Sequence, residues 1–387
     1  MVEELLINGS NGSKGTHESL TPAGEYGTAR VIHSERAPAR IKVVGVGGGG
    51  CNCVRRMMRY GRVPGVTFAM VNTDIKALET YDQDVDLIQI GEKSTRGWGA
   101  GGDFKVGARA ATESATGLRK ALSNSELVFI TAGMGGGTGT GAAPYVAYLA
   151  REMGAMVVGV VTTPFTFEGG RRRGQAMSGV GRLRPYVDSL IVIHNDRLLE
   201  FVDHDSGMID AFRTADEVVT QGIMSVSELI NIAGEINVDF ADVKSVLKNT
   251  GGALMAIGSG FGNMGPVEAA RTAINNPLLD LSIKGAKGVL FSVKGGKHLT
   301  LGGVNAAGEL ISNSVRKDAN IFFGMSVDNS LGDEVKLTLI ATGLEQDLSN
   351  HKPSSIAQQQ KEDGSANRKM RAPSLGLGSF WGLGKKN

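Results

Sequence analysis

Cysteine is nearly absent from this chain, since the 387 residues contain only Cys51 and Cys53. Their C-x-C spacing is too short for an unstrained disulfide, and no further cysteine is present to complete a zinc site. The six histidines show no H-E-x-x-H or similar ligand spacing. The sequence therefore argues against a disulfide scaffold and a zinc enzyme, and it favours a reducing compartment.

Long apolar runs are also absent, and none reaches the roughly 18–20 residues that a membrane-spanning helix needs. Residues 1–8 are acidic and lack the basic-then-apolar order of a signal peptide. The formal net charge is only +2, so no general attraction for nucleic acid follows. The 41% hydrophobic and 21% charged residues are typical of a soluble globular protein, which we expect in the cytoplasm.

Glycine is abundant, with 56 residues that cluster between periodic segments. Residues 1–39 lack apolar periodicity and predict a disordered arm. Beyond them, Val/Ile-rich runs alternate with helical patterns such as 106–121, which predicts an α/β fold whose parallel sheet has helices on both faces. The predicted strands are 41–46, 66–71, 85–90, 127–132, 157–161 and 189–194.

A long helical pattern, from about 210 to 232, leaves this first domain. The short segments that follow predict a second, α+β domain over about 236–346, with strands that are sequential in the sheet. After 346 the sequence becomes polar and then ends in glycines, aromatics and lysines, which is typical of a tether with a binding peptide. The predicted elements of the second domain are strands 253–259, 288–293, 321–327 and 335–342, and helices 266–275 and 306–314.

The most informative segment is the glycine loop at 133–141, which follows the predicted strand 127–132 and precedes a helical pattern at 142–150. Backbone N–H groups in such a loop converge on the helix N-terminus, and the helix dipole favours negative charge there. Glycine lets phosphate oxygens approach the backbone closely, and Thr138 and Thr140 add hydroxyls. We therefore predict that this loop binds phosphates.

A second glycine loop, at 45–52, follows the first predicted strand. Alone it could be a dinucleotide fingerprint with Asp74 as its acidic residue, which would indicate a monomeric oxidoreductase. That alternative does not explain the loop at 133–141, whereas two glycine loops on one sheet suit a nucleotide with two or three phosphates. Because no G-K-[ST] follows the spacing of a P-loop, the phosphate charge must be met by backbone dipoles, Mg²⁺ and arginine.

Two groups of charged residues remain open to alternative interpretations. Arg171–Arg173, predicted in a loop after a strand, are either phosphate ligands or a solvated basic turn. Asp239 and Asp242 lie three apart at the start of a predicted helix, where capping and dipole effects worth roughly 0.3–1 kcal/mol each are one explanation. The other explanation is that the two carboxylates polarise an attacking water.

Taken together, these segments resemble the FtsZ family of the tubulin superfamily over about residues 40–346. The resemblance implies a tubulin-like GTP-binding domain at 40–209, a central helix at 210–235 and a C-terminal activation domain at 236–346. It also implies a linker at 347–373 and a partner-binding peptide at 374–387. It rests on G-V-G-G-G-G-x-N at 45–52, N-T-D at 72–74, G-x-G-A-G at 97–101, G-M-G-G-G-T-G-T-G-A-A-P at 133–144, T-x-P-F-x-F-E-G at 162–169, N-D at 195–196 and N-V-D-F-A-D-V at 237–243.

The resemblance assigns a role to each matching residue. Asp239 and Asp242 would be the catalytic acids that each subunit inserts into the GTP site of its neighbour. Glu168 and Arg172 would contact the ribose and phosphates, Asn195 and Asp216 the guanine, and Phe212 would pack on the base. The remaining GTP-binding residues would be Gly48, Gly49, Gly50, Cys51, Asn52, Gly135, Gly136, Gly137, Thr138 and Gly139, and Mg²⁺ is expected on the GTP phosphates with no protein side chain assigned to it.

The expected function is that of a GTP-dependent polymerising GTPase, whose head-to-tail homopolymer forms the division ring at the septum. A filament for cell shape or plasmid segregation is the alternative. The terminal peptide departs from the family pattern but keeps Phe380, Trp381, Lys385 and Lys386, so we expect it to bind a membrane-tethering adaptor rather than lipid alone. Filaments would then be cytoplasmic and recruited to the inner face of the membrane at the division site. Further departures are the two cysteines and His194, which stands where proline is usual.

Overall fold

The computed structural model describes residues 38–79, 84–200, 207–279, 282–296 and 299–344. The predicted arm, apart from its last two residues, the linker at 347–373 and the peptide at 374–387 lie outside these described residues. Within the described ranges, no helix combines the length and the apolarity that crossing a bilayer requires.

The described strands form one 10-stranded sheet in the order β3-β2-β1-β4-β5-β6-β7-β10-β8-β9. Strands β1 to β6 are parallel, and the strand order reverses between β1 and β4. In an open sheet of this kind, ligands bind in the crevice beyond the carboxyl ends of the strands at that reversal. The strands are β1 Ile41–Val46, β2 Val66–Asn72, β3 Val85–Gln89, β4 Leu127–Gly133, β5 Met156–Thr163, β6 Ser189–His194, β7 Gly251–Phe261, β8 Gly288–Gly295, β9 Asn320–Val327 and β10 Glu334–Thr342.

Helices cover both faces of the parallel part of the sheet, as the uninterrupted apolar strands predict. Side chains of α1, α9 and α10 form one core with the sheet, and side chains of α4 to α7 form a second core on its other face. The helices are α1 Gly47–Tyr60, α2 Ile75–Glu79, α3 Glu92–Thr95, α4 Phe104–Glu113, α5 Ala115–Leu122, α6 Thr138–Glu152, α7 Gly170–Leu183, α8 Asn195–Leu198, α9 Met208–Asn231, α10 Phe240–Leu247, α11 Gly265–Ile274 and α12 Leu301–Asn313.

The second half of the chain has a different strand order from the predicted one. Strand β7 continues the parallel sheet beside β6, but β10 then lies antiparallel between β7 and β8. Residues 337–342 of β10 are all buried, so this strand needs neighbours on both sides, whereas β9 is only partly buried and lies at the edge. The prediction of sequential strands was therefore wrong, although each strand exists close to its predicted position.

Two helix predictions also need adjustment. The pattern at 106–121 forms two helices, α4 and α5, which are separated at Ser114. The long helix predicted at about 210–232 is α9, Met208–Asn231. Its 24 residues span about 36 Å at ~1.5 Å per residue, enough to reach from the carboxyl ends of the strands to their amino ends.

Candidate functional site

The two glycine loops meet where the strand order reverses. One follows β1 and opens α1, and the other follows β4 and opens α6, so both helix N-termini point to this crevice. Gly47 has φ +72°, and a Cβ added there would lie 2.7 Å from the N atom of Gly139. Since any side chain at Gly47 would push the two loops apart, the glycine is required by their contact. The helix α1 begins at Gly47, so most of the segment 45–52, which the sequence predicts as a glycine loop, forms the first turns of this helix.

The crevice is open where a phosphate would have to enter. A Cβ built on Gly48 or on Gly136 meets no heavy atom within 4 Å, and Gly48 and Gly49 are exposed. Backbone N–H groups at two helix N-termini next to an empty, side-chain-free surface form a cradle for oxyanions. Gly50, Gly137 and Gly139 are buried and let the neighbouring backbones approach one another.

Internal hydrogen bonds hold the loop at 133–141 and change the role that the sequence predicts for Thr140. The Gly135 N–H donates to the Thr140 hydroxyl at 2.8 Å, and Thr140 is fully buried. The Thr140 hydroxyl is therefore used inside the loop and does not face a phosphate as predicted, whereas the assignment of Gly135 to the GTP site stays a prediction. The Thr138 hydroxyl lies 2.6 Å from that of Thr73 at the end of β2 and remains partly exposed.

Gln175 of α7 is a site residue that the sequence did not reveal. Its side-chain amide donates to the carbonyl oxygens of Gly136 at 2.7 Å, Gly102 at 3.0 Å and Gly135 at 3.2 Å. One side chain thus fixes the glycine loop after β4 against the loop that contains 97–101. A glutamine in a helix has no recognisable local pattern, so only the tertiary structure could identify it.

An acidic and a basic side chain face each other at the next strand end. Glu168 accepts from the Phe165 N–H at 2.9 Å, and its other oxygen lies 2.5 Å from Arg172 Nη1. The prediction that Arg171–Arg173 lie in a loop was wrong, because they form the first turn of α7. Arg172 is 55% exposed, so its guanidinium can turn toward a phosphate in the crevice, while Glu168 is held.

Next to the oxyanion cradle lies a cavity of about 280 Å³ between α1 and α9. Phe212 lies on its wall and packs edge-on against Phe165, with the ring centroids 5.2 Å apart. The Asn195 Oδ1 atom is buried, and no hydrogen-bond donor among the described residues reaches it. A buried polar atom without a partner costs free energy, so a donor from a bound ligand would stabilise it. The cavity is lined by Asn52, Arg55, Arg56, Arg59, Ile209, Phe212, Arg213 and Asp216.

Among the described residues, Asp216 is the one carboxylate on the wall of this cavity. Burial raises its pKa, while a hydrogen bond from the Cys53 thiol and the positive charge of Arg56 lower it. The Cys53 Sγ atom is 3.2 Å from Asp216 Oδ1, and Arg56 Nη2 is 3.8 Å from Oδ2. A partly buried carboxylate supported in this way can accept two hydrogen bonds from adjacent N–H donors of a flat ring.

Asp239 and Asp242 lie on the side of the sheet where the strands β1 and β2 begin, whereas the glycine loops follow the carboxyl ends of the strands. The α9 residue Asn231 bonds Ala39 N and O and Pro64 O, at 2.8, 2.9 and 2.7 Å, just before β1 and β2 begin. The 15 residues from Asp216 to Asn231 span about 22 Å along α9. The two acids follow this end of α9 and stand at the start of α10, so in the folded chain they lie away from their own glycine loops.

The backbone of Asp239 caps α10, since its carbonyl accepts from the N–H groups of Asp242 and Val243 at 3.0 and 3.1 Å. Its side chain makes no capping hydrogen bond and is exposed, and Asp242 is partly exposed in the first turn. Capping by the Asp239 carboxylate therefore does not explain the pair.

Comparison with known proteins agrees with this geometry. Residues 40–203 match the Tubulin/FtsZ family, GTPase domain, and residues 251–345 match the FtsZ family, C-terminal domain. An empty FtsZ dimer from M. jannaschii is 42% identical with a TM-score of 0.76, and the match covers 79% of this chain and 89% of that one. The chain belongs to the FtsZ family.

A solved structure with lower sequence identity shares the fold. The GTPγS-bound protofilament of CetZ2 from Haloferax volcanii matches with a TM-score of 0.68 at 21% identity, over 79% of this chain and 94% of that one. FtsZ-family proteins bind GTP or GDP and form homopolymers. The GTPase domain contains both glycine loops, and the C-terminal domain begins at β7, so the family match accounts for both halves of the sheet.

Two departures from the FtsZ family pattern are accommodated locally. His194 Nδ1 lies 3.0 Å from the Thr163 hydroxyl, a hydrogen bond between β6 and β5 that proline could not make. The Cys51 side chain is buried and its Sγ atom points to the carbonyl oxygens of Gly45 and Val71, at 3.7 and 3.8 Å. Cys51 can therefore contact a nucleotide only through its backbone.

Both thiols are expected to resist alkylation in the folded protein. Burial raises the pKa of Cys51 to about 12, and burial together with the adjacent Asp216 carboxylate raises the pKa of Cys53 well above its usual value. Since the thiolate is the reactive species, iodoacetamide at pH 8 should label the folded chain at least about 100-fold more slowly than the chain in denaturant. Mass spectrometry of the labelled peptide measures the two rates, and equal rates would contradict this prediction.

Proposed function

We propose that the chain is a GTP-dependent polymerising GTPase that hydrolyses GTP at the junction between two subunits. The observation that supports this is the separation of the glycine loops from Asp239 and Asp242 by the length of the sheet. Each subunit carries the two halves of the site on two different surfaces. A head-to-tail contact therefore joins the glycine loops of one subunit to the acids of the next. Such a contact between unlike surfaces leaves a free surface at each end, so it builds a filament when its rotation does not close a ring.

In this proposal the GTPase domain binds the nucleotide along the carboxyl edge of the sheet. The amides of Gly48, Gly49 and Gly50, the loop at 136–139 and the α1 and α6 dipoles would hold the phosphates, and the partly exposed Thr138 hydroxyl would add a polar contact. Arg172 would add a mobile positive charge, and Glu168, which positions it, would lie at the ribose. No group of His, Cys, Asp or Glu within the described ranges could hold a metal ion, so Mg²⁺ would arrive on the triphosphate and offset part of its charge.

The base would lie in the cavity between α1 and α9. Guanine presents its N1–H and exocyclic amine side by side, and Asp216 would accept from both. Adenine has its exocyclic amine beside an unprotonated N1, which is an acceptor, so it offers no such pair of donors and the carboxylate would favour GTP over ATP. Asn52 and Asn195 would supply further polar contacts and Phe212 would pack against the ring.

Asp239 and Asp242 of the next subunit would orient and polarise the attacking water at the γ-phosphate. Hydrolysis would then weaken the junction at which it occurs, which couples turnover to disassembly. Because the two halves of the catalytic centre would come from different subunits, GTP hydrolysis would require a filament.

The rate of phosphate release is expected to stay near zero below a critical protein concentration and to rise steeply above it. The physical reason is that a monomer contains no complete catalytic centre. Phosphate release and light scattering, measured on the same samples over a range of chain concentrations with GTP or GDP, should show the same threshold. A rate proportional to concentration through the origin, with no threshold, would overturn the junction mechanism.

We further propose that the filaments form the ring at the division septum, recruited to the inner face of the membrane by an adaptor that binds the peptide 374–387. The apolar and basic composition of that peptide supports an adaptor contact. Depletion of the protein should leave long, undivided cells. Normal division with altered shape or lost plasmids would favour the alternative, a filament for shape or segregation.

A further inference from the structure

A hydrogen bond links the two helices that form the walls of the base cavity. The Cys53 thiol of α1 donates to Asp216 Oδ1 of α9 at 3.2 Å, across 163 positions of sequence. Cys53 is 3% exposed, so its thiol is shielded from water. Because an ionised carboxylate can only accept, the thiol supplies the hydrogen of this bond.

Within the described part of the chain, Cys53 is the one hydrogen-bond donor to this carboxylate. The nearest guanidinium, that of Arg56, is at 3.8 Å and also pairs with Glu217 at 3.2 Å. Without the thiol, the Asp216 side chain could rotate toward Arg56 and form a closer ion pair. Its oxygens would then turn away from the space where the base lies.

We propose that Cys53 is a positioning residue for guanine recognition, because its thiol holds the Asp216 carboxylate in the orientation that faces the base cavity. This inference rests on the proposed function, since Asp216 reads guanine only if GTP is the ligand. The arrangement also links the two ends of the nucleotide site, because Cys53 lies one turn after Gly49 and Gly50 on α1.

The protonation state of Asp216 supports the same assignment. Asp216 must be ionised to accept two hydrogen bonds from guanine, and its burial works against the charge. The Cys53 hydrogen bond favours the ionised form, so removing the thiol should raise the Asp216 pKa. The other charged groups that face Asp216 are Arg55 and Arg56 on α1 and Glu217 on α9, and all three are unchanged by a substitution at Cys53.

The test is calorimetric titration of the full chain with Mg²⁺-GTP and Mg²⁺-ITP, whose base lacks the exocyclic amine. Cys53→Ala is expected to lower GTP affinity about 10-fold, as for a lost hydrogen bond to a charged group, and to lower ITP affinity less. The ratio of GTP to ITP affinity should therefore fall. The acid limb of GTP binding should also move to higher pH, because a less stabilised carboxylate is protonated earlier.

Cys53→Ser, which keeps a donor, should stay within about threefold of the wild-type ratio. Val54→Ala is the packing control, since Val54 is fully buried on the same helix but has no hydrogen bond to offer, and its ratio should be unchanged. If Cys53→Ala does not fold, Cys53→Val, which fills the buried space but has no donor, replaces it and should lower the ratio of GTP to ITP affinity in the same way.

A Cys53→Ala chain with the wild-type ratio and the wild-type acid limb would overturn the assignment of Cys53. So would an equal loss for GTP and ITP, which is what a packing defect predicts. Failure of the wild-type chain to bind GTP would instead refute the proposed function itself, and that result is read from the wild-type titration alone.

Discussion

Replacing Asp242 with alanine should slow GTP hydrolysis by about 10²–10⁴-fold while GTP binding and assembly persist. The oxyanion cradle is at the carboxyl ends of the strands, away from Asp242, so the substitution leaves a subunit's own GTP site intact. What it removes is the acid that the subunit presents to its neighbour. The cost in stability should be small, since an acid in the first turn of a helix contributes roughly 0.3–1 kcal/mol.

Phosphate release per subunit, measured well above the critical concentration, tests this expectation, and sedimentation confirms that filaments are present. Glu235→Ala is the matched control, because Glu235 is an exposed acid in the connection that leads from α9 to α10 and is not proposed to act on water. Its turnover should remain within about twofold of wild type. Near-normal turnover of Asp242→Ala in intact filaments would remove Asp242 from the mechanism.

Replacing Asp216 with asparagine should reduce GTP affinity by about 10²-fold or more and raise affinity for xanthosine triphosphate. The amide offers a donor where the carboxylate offered an acceptor, and xanthine has a carbonyl where guanine has the amine. In a partly buried site the mismatch leaves polar groups unpaired on both molecules, which is the costly situation. The Cys53 thiol can still donate to the amide oxygen, so the new side chain should keep its orientation.

Titration of Asp216→Asn with the two nucleotides measures the change in specificity. Glu217→Gln is the control, since Glu217 is adjacent, pairs with Arg56 at 3.2 Å and is half exposed outside the wall of the cavity. It should change neither affinity by more than about threefold. An Asp216→Asn chain that still prefers GTP would show that this carboxylate does not read the base.

The two variants also test the shared site when they are mixed. Asp242→Ala subunits hold GTP but present no complete pair of acids, whereas Asp216→Asn subunits present both acids and are loaded with xanthosine triphosphate. In a mixed filament, GDP should be produced where an intact pair of acids meets a GTP site, although neither variant alone makes GDP efficiently. Absence of recovered GDP in filaments shown to contain both chains would contradict donation between subunits.

The parallel half of the fold could be predicted because its signals are local. Near-continuous apolar strands, glycine loops at their ends and helical patterns between them all lie within short windows, and the six predicted strands of 41–194 are present. The position of β10 could not be predicted, because it depends on which strand has two buried faces. Strand order is decided by burial in the assembled sheet, and no single segment contains that information.

The candidate site divides in the same way. Gly48, Gly136 and Thr138 were visible as a loop pattern, and the structure places them at one crevice. Gln175 and the bond from Cys53 to Asp216 were not visible, since they join elements that are distant in sequence. For Thr140 the sequence pattern is misleading. It predicts a hydroxyl that faces the phosphates, but in the structure this hydroxyl accepts from the Gly135 N–H and holds the backbone of the loop.

The placement of the two half-sites at opposite edges of one sheet has a consequence for the ends of a polymer built as proposed. At one end, the last subunit exposes its nucleotide and has no neighbour to supply the acids. Its GTP would therefore not be hydrolysed, whatever the age of the polymer. At the other tip, the acids are bare and every nucleotide is covered. The polymer would thus grow from an end with a permanent, one-subunit triphosphate cap, and a capping protein selected for one tip would find no matching surface on the other.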